Sequence, residues 1–263
     1  AGVRLEVKVH IVTGAVTSAQ NIIRSCHRAG LDVSDIVLES LASAKAVLTD
    51  EEREIGVALV DLGGGTTDVA LFANDSIKHT AVLALGGTNL TNDIAFGLRT
   101  PMASAEAIKV KYGCALADLV QKDEVIEVTS VGGREPRRLS RQVLAEICEP
   151  RVEEMLALVD QELIRSGMKG LIGAGVVLTG GTALIEGIQE LGEQIFNLPT
   201  RVAYPDKVGG LKDVVHSPKY ATAVGLLMYG AEKEGVEQRF RIGDENVFNR
   251  IRGRMRKWFV DVK

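Results

Sequence analysis

The chain has 263 residues, a net charge of −4 and three cysteines, long enough for one large domain or two smaller ones with a sizeable core. No run of eighteen apolar residues occurs, which excludes a membrane-spanning helix. Cys26, Cys114 and Cys148 are odd in number and form no CxxC pair, which excludes a disulfide framework and reads as reduced thiols in a cytosolic protein.

Charge is unevenly spread. Residues 247–263 hold six basic residues against Asp261, a net +5, which leaves −9 on the rest. An acidic body argues against nucleic acid as a partner. His10, His27, His79 and His216 are scattered without metal-ligand spacing and read as structural or surface residues.

Leu5 to Val12 alternates and then turns apolar, which predicts a strand entering a sheet. Ser18 is placed to cap a helix running to about Ala29, with Ile22, Ile23 and Cys26 facing inward and Gly30 as its stop. Asp35–Leu38 reads as a short buried strand, and Glu39 to Leu48 as a helix rich in small residues. Strand, helix, strand, helix predicts an α/β sheet.

The stretch from Val57 to Phe72 carries the strongest local signal. Two apolar runs, Val57–Val60 and Val69–Phe72, flank Asp61-Leu62-Gly63-Gly64-Gly65-Thr66-Thr67-Asp68. Two buried strands joined by a glycine turn is the plain reading. Three glycines exceed what a two-residue turn needs. They allow successive backbone N–H groups to point into one concavity that binds an anion. Thr66 and Thr67 add hydroxyl donors. Asp61 and Asp68 would repel a bare phosphate, so they make sense with a magnesium ion between them and the anion. A hairpin turn with incidental acids remains the alternative.

Ser76 to Val82 alternates as a strand, and Gly86-Gly87 breaks it. Helices follow over Thr88–Leu98 and from Pro101 to about Tyr112, then a strand over Glu124–Val128. Ser140 is a cap for a helix that includes Leu144 and Ile147. Pro150 suits a first turn better than a helix interior, so a second long helix is expected to start there and end at Gly167. Val176–Thr182 forms a second strand and glycine turn, in which Thr182 caps a helix over Ala183–Phe196 and its N-terminus favours a polar or anionic ligand. Tyr220–Gly230 is a helix with one small face, a natural close partner for the helix at Ala42–Ala46. Residues 232–246 are charged and read as a linker. Val247, Phe248, Ile251, Met255, Trp258, Phe259 and Val262 then recur on one helical face, with basic residues on its flanks and Arg254 at its border. That is the pattern of a helix lying in a membrane interface, with Trp258 at headgroup level.

Taken together these stretches resemble the superfamily of actin, sugar kinases and heat-shock chaperone ATPases. Asp61–Asp68 resembles its second phosphate motif, Val176–Thr182 its adenosine motif, and Leu38–Ala46 and Ala221–Gly225 its two connecting helices. Glu39 with Leu41-Ala42-Ser43, Thr91–Ala95, Lys111–Ala115, Ser130–Arg134 and Glu149-Pro150-Arg151 resemble the FtsA family of bacterial cell division proteins. The resemblance implies an α/β, actin-like (ribonuclease H-like) ATPase fold, incomplete at the N-terminus because the first phosphate hairpin should lie upstream of residue 1, and ending in the amphipathic helix. The implied divisions are 1–48, the end of a first domain with a connecting helix; 49–217, a second domain with an inserted subdomain at about 74–167; 218–230, the second connecting helix; 231–246, a linker; and 247–263, the membrane helix.

For function the resemblance implies ATP and Mg2+ as cofactors. Gly63, Gly64, Gly65 and Thr66 would hold phosphates, Asp61 would act through magnesium, and Gly180, Gly181 and Thr182 would line the nucleoside. Glu39 is the first candidate to position an attacking water and Asp68 the second, with weak ATPase activity at most. The implied partners are the tail of the tubulin-like ring protein FtsZ, through Arg151 and Glu154; other copies, in actin-like filaments; and an anionic membrane, through Phe248, Ile251, Arg254, Met255, Trp258 and Phe259. The implied place is the cytoplasmic face of the inner membrane at the division site. A cell-shape or pilus-assembly scaffold, or an enzyme of the chaperone or sugar-kinase type, is the alternative.

Overall fold

The computed structural model describes residues 6, 7, 9–210 and 212–240, with residue 133 and residues 234–240 described in backbone only. Of the described residues, those up to Leu226 belong to one compact unit and those from Leu227 to a second. In chain order the elements are α1 (Val16–Arg28), α2 (Glu39–Val47), α3 (Asp50–Ile55), β1 (Val57–Leu62), β2 (Thr67–Ala73), β3 (Ser76–Leu83), α4 (Gly87–Gly97), α5 (Met102–Tyr112), β4 (Val125–Val128), β5 (Arg137–Ser140), α6 (Arg141–Arg165), β6 (Val176–Thr179), α7 (Ile188–Phe196), β7 (Thr200–Val202), α8 (Lys212–Val215) and α9 (Ala221–Phe240).

Strands β1 and β2 are buried at every position, as an apolar run covered on both faces requires. They pair antiparallel, β3 pairs antiparallel to β2, and β6 and β7 add in parallel on the other side, giving the order β3-β2-β1-β6-β7. The two-residue period of a strand sorts the side chains. Ala58, Val60 and Leu62 of β1, Val69 and Leu71 of β2, and Val176 and Leu178 of β6 share a core with Leu90 and Ile94 of α4, Leu144 to Leu163 of α6, and Phe196 of α7. The intervening residues, Asp61 among them, face α2, whose Ala42, Ala44 and Ala46 are buried. Helix α9 closes on α2 at Gly225, where a Cβ would lie 1.8 Å from the Ala42 carbonyl oxygen.

Several expectations are corrected here. Residues 35–38 form no strand, since no strand among the described residues lies beside them to pair with. Residues 9–12 are likewise not in a strand. Helix α1 forms, but Ala15 rather than Ser18 is its N-cap and none of its residues is buried; Ile22 is 58% exposed. Ser140 does cap α6, accepting from the Gln142 amide. That helix nevertheless runs unbroken through Pro150 for 25 residues. The burial of Leu144, Cys148, Val152, Met155, Leu156 and Val159 along one side outweighs the missing proline N–H. Strand β3, at the start of the stretch of about 74–167, pairs with β2 in the main sheet. Helix α9 continues to Phe240, into the stretch expected to be a linker.

Candidate functional site

Three glycine turns meet at the ends of β1 and β6. In the first, the Gly63 amide donates to the Thr66 carbonyl at 3.0 Å. The Gly63 carbonyl accepts from the Gly87 amide at 2.9 Å and from the Thr182 hydroxyl at 3.0 Å. The Gly64 carbonyl accepts from the Thr88 amide at 2.8 Å. So the turn at Gly86-Gly87, opening α4, and the turn at Gly180–Thr182 are both fastened to the first.

None of Gly63, Gly64 and Gly65 has a left-handed backbone, and only at Gly63, where a Cβ would lie 3.0 Å from the Thr66 carbonyl oxygen, is the space tight. A Cβ on Gly86 would come within 2.6 Å of the Gly64 carbonyl oxygen, while one on Gly65 would meet nothing within 4 Å. Gly180 does need glycine's freedom: its φ is +88°, and a Cβ would lie 2.5 Å from Asp61 Oδ1 and from the Leu62 carbonyl oxygen. Thr182 does not cap a helix as expected. It lies inside a short 3-10 turn, Gly181–Leu184, and α7 starts only after Gly187. Its hydroxyl is spent on the Gly63 carbonyl instead.

The acids lie behind the first turn. Asp61 and Asp68 are direct cross-strand partners, an arrangement that destabilises like charges. Both carboxyls are held above the usual carboxylate range by burial. Hydroxyls of Ser43 and Thr222 oppose that effect at Asp61, and Thr66 opposes it at Asp68, where the Asp61 charge adds to the rise. Glu39, at the first turn of α2, is raised by burial and then by Asp68 and Asp61, against a hydrogen bond from Thr222. Three acids under mutual repulsion are a place where added positive charge is favourable. Among the described residues no group of three His, Cys, Asp or Glu could hold a metal on its own. A magnesium ion, however, is usually taken by one or two carboxylates together with phosphate oxygens and water, and this donor set fits that mode.

In front of the turns lies a cavity of about 440 Å³ lined by Gly63, Gly64, Thr88, Glu106, Lys109 and Lys219 among others, a volume suited to a nucleotide-sized ligand. Four of those residues, Thr88, Glu106, Lys109 and Lys219, were not among the site residues expected from the sequence. Lys109 Nζ donates to Glu106 at 2.7 Å, to Thr91 at 2.8 Å and to the Gly87 carbonyl at 3.1 Å; burial raises the Glu106 carboxyl, but hydrogen bonds from Lys109 and Thr91 and the Lys109 charge bring it below its ordinary value. The i,i+3 spacing of Glu106 and Lys109 was visible, but such pairs are ordinary on helix surfaces. Lys219 follows Pro218, whose carbonyl accepts from the Gly180 amide at 3.3 Å.

The structure thus brings Glu39, Asp61, Gly63, Gly64, Gly65, Thr66, Asp68, Gly180, Gly181 and Thr182 to one site. Arg151 and Glu154 lie elsewhere, mid-helix on α6. Arg151 forks onto Asp93 of α4, Nε to Oδ2 at 2.5 Å and a terminal nitrogen to Oδ1 at 3.2 Å, and its other nitrogen pairs with Glu154. These three residues with Ile147 and Pro150 line a second cavity of about 260 Å³. Phe248, Ile251, Arg254, Met255, Trp258 and Phe259 lie outside the described residues. Among the described residues no helix is long and apolar enough to cross a membrane.

A family model described as "Cell division protein FtsA" matches residues 58–225. The curated protein of that name from Pseudomonas aeruginosa is 57% identical over 234 residues, 89% of this chain and 56% of the relative. The one from Escherichia coli K12 is 43% identical over 271 aligned positions, 98% of this chain and 64% of the relative. The chain therefore spans between 56% and 64% of the length of these relatives. Among solved structures, MreB5 of Spiroplasma citri bound to ADP superposes with a TM-score of 0.64 at 20% identity, over 85% of this chain and 68% of that one. A PilM–PilN type IV pilus biogenesis complex gives 0.60 at 17% identity, over 81% and 57%. At such identities the likeness concerns the fold, which is the actin-like one.

Proposed function

The chain belongs to the FtsA family of cell division proteins, and we propose that it forms part of an ATP-binding scaffold that tethers the FtsZ ring to the cytoplasmic membrane. The observation that carries the nucleotide reading is the meeting of three glycine turns between the 440 Å³ cavity and the three repelling acids. In this reading Gly63–Thr66 lie along the phosphates, and Gly180, Gly181 and Thr182 line the nucleoside with Glu106, Lys109 and Lys219. A magnesium ion, when bound, supplies the positive charge that reconciles the acids with phosphate. Asp61 faces that charge, and Glu39, with Asp68 second, is placed to hold a water. Positioning and charge neutralisation are most of what phosphoryl transfer asks of a protein, so a scaffold with weak hydrolysis is compatible with the site.

The finer partners follow from the family and from the surface chemistry. Arg151 and Glu154 on α6 form the contact for the FtsZ tail, copies of the protein associate as actin-like filaments, and residues 247–263 lie on the inner membrane at the division site. Support for the tail contact is the cavity beside Arg151, which pairs an apolar floor of Ile147 and Pro150 with a guanidinium. The fork of Arg151 onto Asp93 and Glu154 would also serve α6 and α4 alone, so binding must be measured. Two titrations on the full-length protein test the proposal: magnesium-ATP by calorimetry against wild type and Asp61→Ala, and the FtsZ tail peptide against wild type and Arg151→Glu. Weaker binding in each variant is expected. Unchanged ATP affinity in the first, or unchanged peptide affinity in the second, would overturn the corresponding half.

A further inference from the structure

Asp61 sits where three elements converge. It is 5% exposed, and no lysine or arginine pairs with it among the described residues; its hydrogen bonds come from hydroxyls. Ser43 Oγ, fully buried on α2, donates to Oδ2 at 2.5 Å. Thr222 Oγ1, on the first turn of α9, lies 3.3 Å from the same oxygen and 2.9 Å from Ser43 Oγ. The two helices reach this closeness because Gly225, three residues further along α9, has no side chain against Ala42. The other carboxylate oxygen, Oδ1, lies against Gly180 at the adenosine-side turn.

We propose that Ser43 and Thr222 are positioning residues for the phosphate end of the site, hydroxyls from two crossing helices that fix one oxygen of Asp61 so that the other faces the glycine turns. Two facts argue against ordinary core filling. Ser43 is a buried polar residue at a helix crossing, and burying a polar group is favourable only if it is hydrogen-bonded, as Ser43 is to Asp61 and Thr222. And the Thr222 hydroxyl also bonds Glu39. A hydroxyl has a single proton; Ser43 gives its own to Asp61, so Thr222 donates to Ser43, to Asp61 or to Glu39, one at a time. It thereby links the carboxylate that faces the cation to the carboxylate placed to hold a water. Of the two cross-strand partners of Asp61, Asp68 on β2 is itself an acid, and Thr179 on β6 is turned to the Ala203 and Pro218 carbonyls and does not compete.

This inference rests on the reading of Asp61 as the residue facing the magnesium of a bound nucleotide, and its test is arranged to separate the two. In the full-length protein, Ser43→Ala, Thr222→Val and the conservative Thr222→Ser are compared by calorimetry, with ATP in magnesium and with ATP in excess chelator. The Asp61 carboxyl carbon is followed by NMR in selectively labelled protein without nucleotide. Loss of one hydrogen bond to a charged group is worth about tenfold or more. Ser43→Ala and Thr222→Val are therefore expected to weaken magnesium-ATP about tenfold, to leave metal-free ATP within about twofold, and to shift the Asp61 carboxyl resonance. Thr222→Ser is expected to restore both. Equal losses with and without magnesium, failure of Thr222→Ser to rescue, or an unmoved Asp61 resonance would overturn the inference. If wild-type protein binds no magnesium-ATP, the nucleotide reading fails by itself, and the carboxyl resonance still decides whether the two hydroxyls hold Asp61.

Discussion

Replacing Gly225 with alanine is expected to open the crossing of α2 and α9 and to destabilise the fold. The added Cβ would lie 1.8 Å from the Ala42 carbonyl oxygen, 2.4 Å from its carbon and 3.0 Å from its Cα. Because Cβ contacts under 3.0 Å essentially never occur, the helices must part by about 1.2 Å. Interiors do not yield freely, and overpacking of this kind costs up to about 3 kcal/mol. Alanine recovers about 1 kcal/mol of that through helix propensity, which leaves a net loss of about 2 kcal/mol. For a unit of this size that is a fall of roughly 4–8 °C in Tm. Thermal and urea melts of the variant check it, with Gly230→Ala as an internal control. Gly230 is also in α9, but a Cβ there meets nothing within 4 Å, so that variant is expected to gain up to about 1 kcal/mol. If Gly225→Ala melts at or above wild type, as Gly230→Ala should, the tight crossing is not a feature of the folded protein.

Two further outcomes are expected. Asp61 is raised by burial, so its contribution to stability is present at low pH and is lost as pH rises through its folded value. Asp61→Asn should therefore be more stable than wild type in chelator at neutral pH, with the gain fading as acid protonates the wild-type carboxyl; a gain that persists at low pH would contradict this. Pro150 lies inside α6, where a proline costs about 3 kcal/mol against alanine and returns up to about 1 kcal/mol by stiffening the unfolded chain. Pro150→Ala should thus raise the urea midpoint by the equivalent of about 2 kcal/mol, and a lower midpoint would show that the helix is built around the proline.

What could be read from the sequence was what depends on near neighbours. The β1–β2 hairpin, β3, α4, α5 and β6 follow from apolar runs and glycine breaks, and they stand within a residue or two of expectation. The acids and glycines of the site were legible for the same reason, since Asp61 through Asp68 lie in one short stretch. Residues whose state is decided by distant partners were not. Asp35–Leu38 has a strand's composition but no strand beside it. Pro150 has a helix-breaker's chemistry but sits on a helix fixed by its buried side. Thr182 has a cap's position, yet the Gly63 carbonyl, 119 residues away in sequence, claims its hydroxyl. Lys109 reads as one half of a surface ion pair until α4 brings Thr91 and the Gly87 carbonyl to it.

The parallel pairing of β1 with β6 also has a consequence in time. Strands β1, β2 and β3 are consecutive and close by short turns, whereas Ala58 meets Val176 only after the whole of α4 to α6 has been threaded between them. Long-range pairings of this kind are slow, because the entropy of closing the intervening loop is lost before the contact returns anything. The hairpin bearing Gly63–Thr66 is therefore an early structure and its junction with Gly180–Thr182 a late one. A chain emerging from synthesis would display its acid-flanked glycine loop well before the second glycine turn arrives to complete the pocket, so competence to hold a ligand between the two turns coincides with the final closure of the sheet.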